Sequence, residues 1–453
     1  MVVLVVVRET LLSALLGTNW PREWLMTSGW CHRSPVLDDD GLAVVWSSVL
    51  AASMPGEREM FAIEVDRMFD GERAVSGGAL VTVDEMRIVD VAPRGAQPPE
   101  SCEVTRFEDA TLLPGLIDSH VHLCCDSGPG ALDRLPEFSK VELAAIIEDA
   151  LRAHMAAGVT TVRDLGDRGW AVIDWRDRNR SNVALPTVLG SGPPITSPNG
   201  HCSNMGGEAR GVEQLRQAVV ERAERGVDIV KIMASGGLMT PGTDVARPQF
   251  SVDELMAVVT EAHARGLRVT AHAHSLDAIK DALAAGIDGV EHCSFMTESG
   301  VVVADDVVAD LVSTAIPVCP TIGLAPGTVF PAELVELLRK VGMTWDAAAR
   351  VYGGLHKAGV RLVSGSDGGI SPAKRHGILP EAVIHLVEGG VSTVDALATA
   401  TCIAAESCGV ADRKGRVSAG FDADLLVVGD DPLGDITALR NVQAVFVRGT
   451  RRV

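Results

Sequence analysis

Aromatic residues are scarce in this chain: Phe, Trp and Tyr make up 4% of its 453 residues, and Tyr352 is the single tyrosine. So thin an aromatic content argues against a stacking surface for single-stranded nucleic acid. Basic residues are also in deficit, 40 Lys and Arg against 60 Asp and Glu, a formal charge of −20. Such a chain repels phosphate backbones and anionic membranes, so neither nucleic acid nor membrane is an expected partner. No apolar run approaches the ~20 residues of a spanning helix. The nine cysteines (31, 102, 124, 125, 202, 293, 319, 402 and 408) are odd in number, scattered and without a CxxC pair. That excludes a secreted disulfide framework and a zinc ribbon; they read as small buried residues. The start, MVVLVVVRETLLSALLG, is interrupted by Arg8 and Glu9 and has no basic leader or small-residue cleavage site, so it does not read as a signal peptide. A reducing cytoplasm is the expected location.

What is present is ample apolar content, 47%, with 46 Gly and 22 Pro. At roughly 150 residues per domain the length suggests about three domains, although one α/β barrel can use 250 or more. Residues 1–58 hold four of the seven tryptophans and no sustained period of 2 or 3.6. They stay unassigned: a loosely packed arm, or a mis-called extension ahead of a true start at Met60. From residue 59 short alternating runs such as AIEVDRMFDG and ALVTVDEMRIVDVAP predict strands and hairpins, and the chain closes with DLLVVGDD and VQAVFVRGTRRV in the same style. Residues 59–113 and 415–453 are therefore expected to pair into one small β-domain, a β-sandwich.

Between them, residues 114–414 repeat strand, loop and helix. Eight apolar strand candidates fall at 115–123, 159–166, 185–192, 227–237, 266–275, 288–295, 315–323 and 359–369. Helical patterns alternate with them, and SVDELMAVVTEAHARG opens with Ser251 and Glu254 in capping-box spacing. Parallel strands need helical crossovers, so a (β/α)8 TIM barrel is expected. A doubly wound open sheet is the alternative, but no GxGxxG follows the first strand and no P-loop is present.

In such a barrel, chemistry gathers at the carboxyl ends of strands. His120 and His122 form an HxH pair, and side chains two apart on a strand share a face. Lys231 ends the apolar run VDIV, where a buried amine is costly unless paired or modified. His272 and His274 form a second HxH, His292 lies in VEHCS, and Asp367 sits among small residues in SGSDGG. Each alone reads as a hydrogen-bonded core histidine, a snorkelling lysine or a loop aspartate. Five imidazoles, a lysine and an aspartate at the ends of five strands do not read as independent accidents. Imidazole and carboxylate ligands suit zinc first, with manganese and iron as alternatives.

These motifs (TLLPGLIDSHVH, VKIM, TAHAHS, AGIDGVEHC and SGSD) closely resemble the amidohydrolase superfamily, in its prolidase-like and imidazolonepropionase-like branch. The resemblance covers about residues 60–453. It implies two divalent metal ions. His120, His122 and Asp367 would hold the more buried one, and His272 and His292 the second. Lys231, carboxylated by carbon dioxide, would bridge both through its carbamate. His274, two beyond His272, is assigned to substrate or supporting contacts, though which of the pair binds metal stays open. His201, in TSPNGHCSNMGG, is a candidate to grip a substrate carbonyl or carboxylate. The implied reaction is cleavage of a carbon–nitrogen, amide or peptide-like bond by a metal-bridging hydroxide, with Asp367 as general acid and base. Dipeptides or N-acyl amino acids are the expected substrates; a cyclic amide or lactone hydrolase, or a mononuclear deaminase, is the alternative. Arg247, Lys374, Arg375 and His376, in loops after the strands, are candidate anchors for a substrate carboxylate. The expected partners are a small-molecule substrate and further copies of the chain, in a homo-oligomer.

Overall fold

The computed structural model describes residues 60–453 except 331, 333, 334, 337, 338 and 340–343. The extension at 1–58 lies outside the described residues. Strands β1 (Phe61–Phe69), β2 (Ala74–Val75), β3 (Ala79–Asp84), β4 (Arg87–Pro93) and β5 (Glu103–Pro114) open the described chain, and β14 (Leu425–Gly429), β15 (Val442–Val447) and β16 (Thr450–Arg451) close it. All eight form one hydrogen-bonded sheet, ordered β16-β15-β14-β5-β1-β3-β4 with β2 beside β1. The join is antiparallel between β5 and β14, with Leu113 opposite Leu426. Alternation explains it: Ile63, Val81, Leu112, Leu425 and Phe446 turn their apolar sides into a shared core.

The remaining strands are parallel neighbours: β6 (Leu116–Val121), β7 (Val159–Asp164) and β8 (Thr187–Gly190) in one sheet, β9 (Val230–Met233), β10 (Val269–Ser275), β11 (Gly289–Thr297) and β13 (Val318–Cys319) in another. Short β12 (Gly300–Val301) pairs antiparallel at the edge. Single parallel bridges link the pieces: Ile195 to Ile232, Val318 to Leu362, and Val121 to Gly368. The fold is mixed α/β, with helices between the parallel strands. Helix α1 (Lys140–Ala156) starts on a capping box from Ser139 and Glu142, and α3 (Val252–His263) on the one anticipated from Ser251 and Glu254. Between them, α2 (Ala171–Arg178) follows β7. Gly158, after α1, has φ 83°, and a Cβ there would lie 2.7 Å from Leu426 Cδ2, so only glycine lets the parallel strands approach the sheet so closely.

Two strand expectations shorten. The run 315–323 contributes only β13, and 359–369 only the bridge residues Leu362 and Gly368. The reason lies in competing acceptors. Ser364 N–H donates to Thr399 O and Ser366 N–H to the Asp118 carboxylate, drawing this glycine-rich segment off a regular ladder, while Asp367 N–H still reaches His120 O on β6. Among the described residues, no helix is long and apolar enough to cross a membrane.

Candidate metal centre

The carboxyl ends of β6, β9, β10 and β11 converge with the SGSD segment on one group of side chains. Strand β6 brings His120 and His122 to the same face. His120 Nδ1 bonds Glu291 Oε2 at 2.8 Å, and His122 Nδ1 bonds Gly166 O at 3.0 Å. Their Nε2 atoms both turn to Asp367 Oδ1, at 3.6 and 3.3 Å. On β10, His272 Nε2 meets Gly236 O at 3.1 Å and His274 Nδ1 meets Ser294 Oγ at 2.9 Å. On β11, His292 Nδ1 meets Thr321 Oγ1 at 2.7 Å, and its carbonyl accepts from the Tyr352 hydroxyl at 2.7 Å. Ring centroids of His292 lie 4.5 Å from His272, 4.4 Å from His274 and 5.3 Å from His120, so the two histidine groups are continuous.

One regularity runs through this cluster. Each imidazole spends one ring nitrogen on the protein and keeps the other for the shared space. Where the partner is a carbonyl or carboxylate, as for His120, His122 and His272, the bonded nitrogen of the neutral ring carries the proton and the other a lone pair; in the ion-free molecule burial is outweighed by Asp367, beside the second nitrogen of His122, which raises that ring's pKa. That is the arrangement by which metal-binding histidines are oriented. Protonation agrees. Burial, then the Lys231 charge, lowers His120 to about 4, and burial lowers His274 to about 4 and His272 and His292 well below the ordinary value. These rings are neutral at pH 7, the form that binds a cation. Burial opposes ionisation of Asp367, yet the His122 hydrogen bond and the charges of His120 and His122 hold its carboxyl below the usual range.

Lys231 is 1% exposed and its Nζ has no hydrogen-bond partner among the described residues. Burial lowers its pKa. An unpaired amine in that position is unfavourable as a cation, and it suits conversion to a carbamate, which replaces the charge by oxygen donors. Three sets of ligand atoms lie close enough to share an ion: His120, His122 and Asp367; His272, His274 and His292; and His120, Glu291 and Cys319. The donor set fits a metal centre.

Backbone conformation contributes to the aim of these groups. His292 and Asp367 have φ of 67° and 57°, a left-handed region that ordinary residues enter only when their surroundings hold them. At Gly365 a Cβ would sit 2.6 Å from Cys319 Sγ and 2.8 Å from His120 Cβ, so the small residues of SGSD are what admit the aspartate.

A cavity of about 400 Å³ opens on the cluster. His120, His122, Lys231, His272, His274, His292 and Asp367 all line it, as do His201 and Lys374. His201 bonds Thr240 Oγ1 through Nδ1 at 2.9 Å, and its ring, tilted by 39°, lies 4.5 Å from that of His272. Arg247, Arg375 and His376 are not among its lining residues. Arg247 is exposed and paired with Asp244 at 3.2 Å and Glu298 at 2.5 Å. His376 lies behind the wall, its Nε2 on Cys125 O at 2.7 Å and its Nδ1 on His154 Nε2 at 3.2 Å.

Glu291 is the residue the sequence reading passed over. It holds His120 and accepts from Thr270 Oγ1 at 2.7 Å and Arg163 Nη2 at 3.4 Å. A carboxylate beside a histidine inside an apolar strand, VEHC, was the available signal. The apolar wall, with Leu238, Met239, Ile322, Phe330 and Trp345, was likewise unmarked, since it comes from separate segments of the chain.

A centre of this kind, imidazoles and a carboxylate around a buried lysine at the ends of parallel strands, defines a class of metal-assisted hydrolases. Residues 111–452 match the model of the amidohydrolase family, and the chain belongs to it. It is 28% identical over 369 residues to the ochratoxinase of Aspergillus niger, covering 74% of this chain and 73% of that one. It is 30% identical over 349 residues to an uncharacterised protein of Mycobacterium tuberculosis, covering 76% and 86%. A solved Xaa-Pro dipeptidase with bound methionine in its active site superposes with TM-score 0.75 at 25% identity, covering 87% of this chain and 99% of that one.

Proposed function

We propose that the protein is a metal-dependent hydrolase of carbon–nitrogen bonds in N-acyl amino acids or dipeptides. The observation that carries this reading is the shared arrangement of the imidazoles, each anchored by one nitrogen and open at the other, around Asp367 and the unpaired Lys231. His120, His122 and Asp367 would hold one divalent ion, His272 and His292 a second, and Lys231 as its carbamate would bridge them. When bound, such ions activate water and polarise a carbonyl. Zinc is the first choice. Asp367, ionised and held by His122, accepts the proton of the attacking water and returns it to the departing nitrogen. Glu291 keeps His120 in the tautomer that leaves Nε2 free. His274 and His201 line the same space and position the substrate carbonyl.

The wall favours an apolar side chain. Of the four loop candidates for a carboxylate anchor, Lys374 is the one that faces the cavity. Its Nζ donates to Ser366 O at 3.1 Å and to Thr321 O, which leaves one N–H for a ligand, and no carboxylate of the described residues forms an ion pair with it. An incoming free carboxylate supplies what it lacks. In the architecture we favour, residues 114–414 close a (β/α)8 barrel through the three single bridges, the sheet from 59–113 and 415–453 forms the small β-sandwich around its own core, and the chain assembles as a homo-oligomer.

The deciding experiment is a turnover screen of N-acyl amino acids, dipeptides, cyclic amides and lactones with enzyme loaded with zinc or manganese and bicarbonate, alongside metal analysis. Two ions per chain and turnover of acyl amino acids are expected. Turnover of cyclic amides or lactones alone, or a single ion, overturns the reading.

A further inference from the structure

A second cleft, of about 730 Å³, lies at the other end of the parallel strands and shares no lining residue with the metal cavity. Its walls come from the end of α2 and the segment after it (Trp175, Arg176, Asn179, Arg180), from the starts of β8 and β9, from Arg87 on β4, from Arg413 and Asp422 in the segment ahead of β14, and from Arg448 in the turn after β15. In a chain of charge −20 this cleft gathers five arginines and two aspartates.

The aspartates are already engaged. Asp228 takes Arg176 Nη1 at 2.5 Å and the Gly190 N–H at 2.8 Å. Asp422 takes Arg87 Nη1 at 2.9 Å and Lys414 Nζ at 3.1 Å. Arg180 is held by Asp177 at 2.9 Å. Among the described residues two arginines of the cleft have no counter-charge, both half-buried. Arg448 reaches only a hydroxyl, Thr187 Oγ1 at 3.2 Å, and the Arg413 guanidinium has no partner among the described residues. Trp175, 4% exposed, lines the same cleft, and its indole N–H has no acceptor among the described residues.

These three groups have one property in common: guanidinium and indole donate and cannot accept. Half-buried guanidinium without a counter-charge is costly, and an anion removes that cost. The planar fork of arginine matches phosphate oxygens two at a time. The volume exceeds that of one phosphate and falls in the range of clefts that hold whole metabolites. Val188, Leu189 and Pro186 add an apolar floor for an organic body. We propose that this cleft binds a small organic phosphate, of the sugar-phosphate or nucleoside-monophosphate class, through Arg413 and Arg448. The site is independent of the hydrolytic reading, since it involves none of the residues assigned to the metals.

The test is calorimetric titration of the metal-loaded full-length protein with glucose 6-phosphate and AMP, with inorganic phosphate, glucose and adenosine as companions. One saturable site per chain is expected for at least one of the two organic phosphates, with no binding of the neutral glucose and adenosine. Inorganic phosphate binding as tightly as both organic phosphates limits the site to the bare oxyanion and overturns the organic-phosphate assignment. Arg413→Gln and Arg448→Gln should each weaken binding about tenfold or more, the loss of one charge-assisted contact. Metal content and basal activity should stay unchanged. Arg448 also ties Thr187, so if Arg448→Gln fails to fold, Arg413→Gln, which breaks no side-chain hydrogen bond or ion pair among the described residues, still decides. Absence of saturable binding, equal binding in Arg413→Gln, or binding that competes with hydrolysis and so belongs to the metal centre, overturns the proposal.

Discussion

At their carboxyl ends the parallel strands present imidazoles that keep a lone pair in reserve; near their amino ends, flanking segments present Arg413, Arg448 and Trp175, which keep only hydrogens in reserve. Both ends hold polar groups the protein leaves half-satisfied, but of opposite kind. Counting which valence is left over, acceptor or donor, separates a cation site from an anion site where burial and charge density alone do not. The comparison also explains the role of Glu291. At the carboxyl end a carboxylate orients a ring without entering the shared space, whereas at the amino end Asp228 is engaged by Arg176 and the Gly190 N–H, and Asp422 by Arg87 and Lys414.

Chelation should break the comparison most sharply. Dialysis against a chelator is expected to abolish hydrolysis, zinc or manganese with bicarbonate to restore it, and binding of organic phosphate to be unaltered. Asp367→Asn should lower kcat/KM by about 10³-fold, within the range for loss of an acid–base group, measured at matched metal content. Lys374→Met should raise KM about tenfold to a hundredfold for an N-acyl amino acid and leave its carboxamide counterpart unchanged. Equal losses on both substrates would make Lys374 a structural cation. Glu291→Gln should weaken metal affinity by about 10- to 100-fold, read by competition with a chromophoric chelator. The mildest effect is that of pH on the metal-free protein. Burial, with secondary charge effects, lowers His120, His274 and His376 to about 4 and His201 to about 3. Unfolded, each takes up a proton near pH 6.5, so their contribution to stability is present above that pH and is lost as pH falls towards 4. The raised pKa of His122 works the other way. Tm measured from pH 7 to 4 should fall across that window, and a flat profile would remove the neutral-imidazole account.

Much of the centre could be read from spacing. An HxH repeat on a strand puts both rings on one face whatever the tertiary context, and Lys231 after VDIV announces a buried amine. The capping box at Ser251 was equally local, and it formed. What escaped depends on distant backbone. Gly166 O and Gly236 O fix two rings, but a carbonyl leaves no mark in a residue pattern. Lys374 and Arg247 look alike as loop cations; one turns inward because Ser366 and Thr321 carbonyls receive it, the other outward because Asp244 and Glu298 do. The eighth strand failed to form for a related reason, since side-chain and loop acceptors such as Asp118 took its N–H groups.

Tyr352 turns its rarity into an instrument. Its hydroxyl donates to the carbonyl of His292, the residue at which β11 departs from ordinary backbone and aims a ring at the metal space. With one tyrosine in the chain, a fluorinated tyrosine gives a single NMR resonance, already assigned. That signal reports on the strand that would have to shift when ions are loaded or withdrawn, without a mutation near the site.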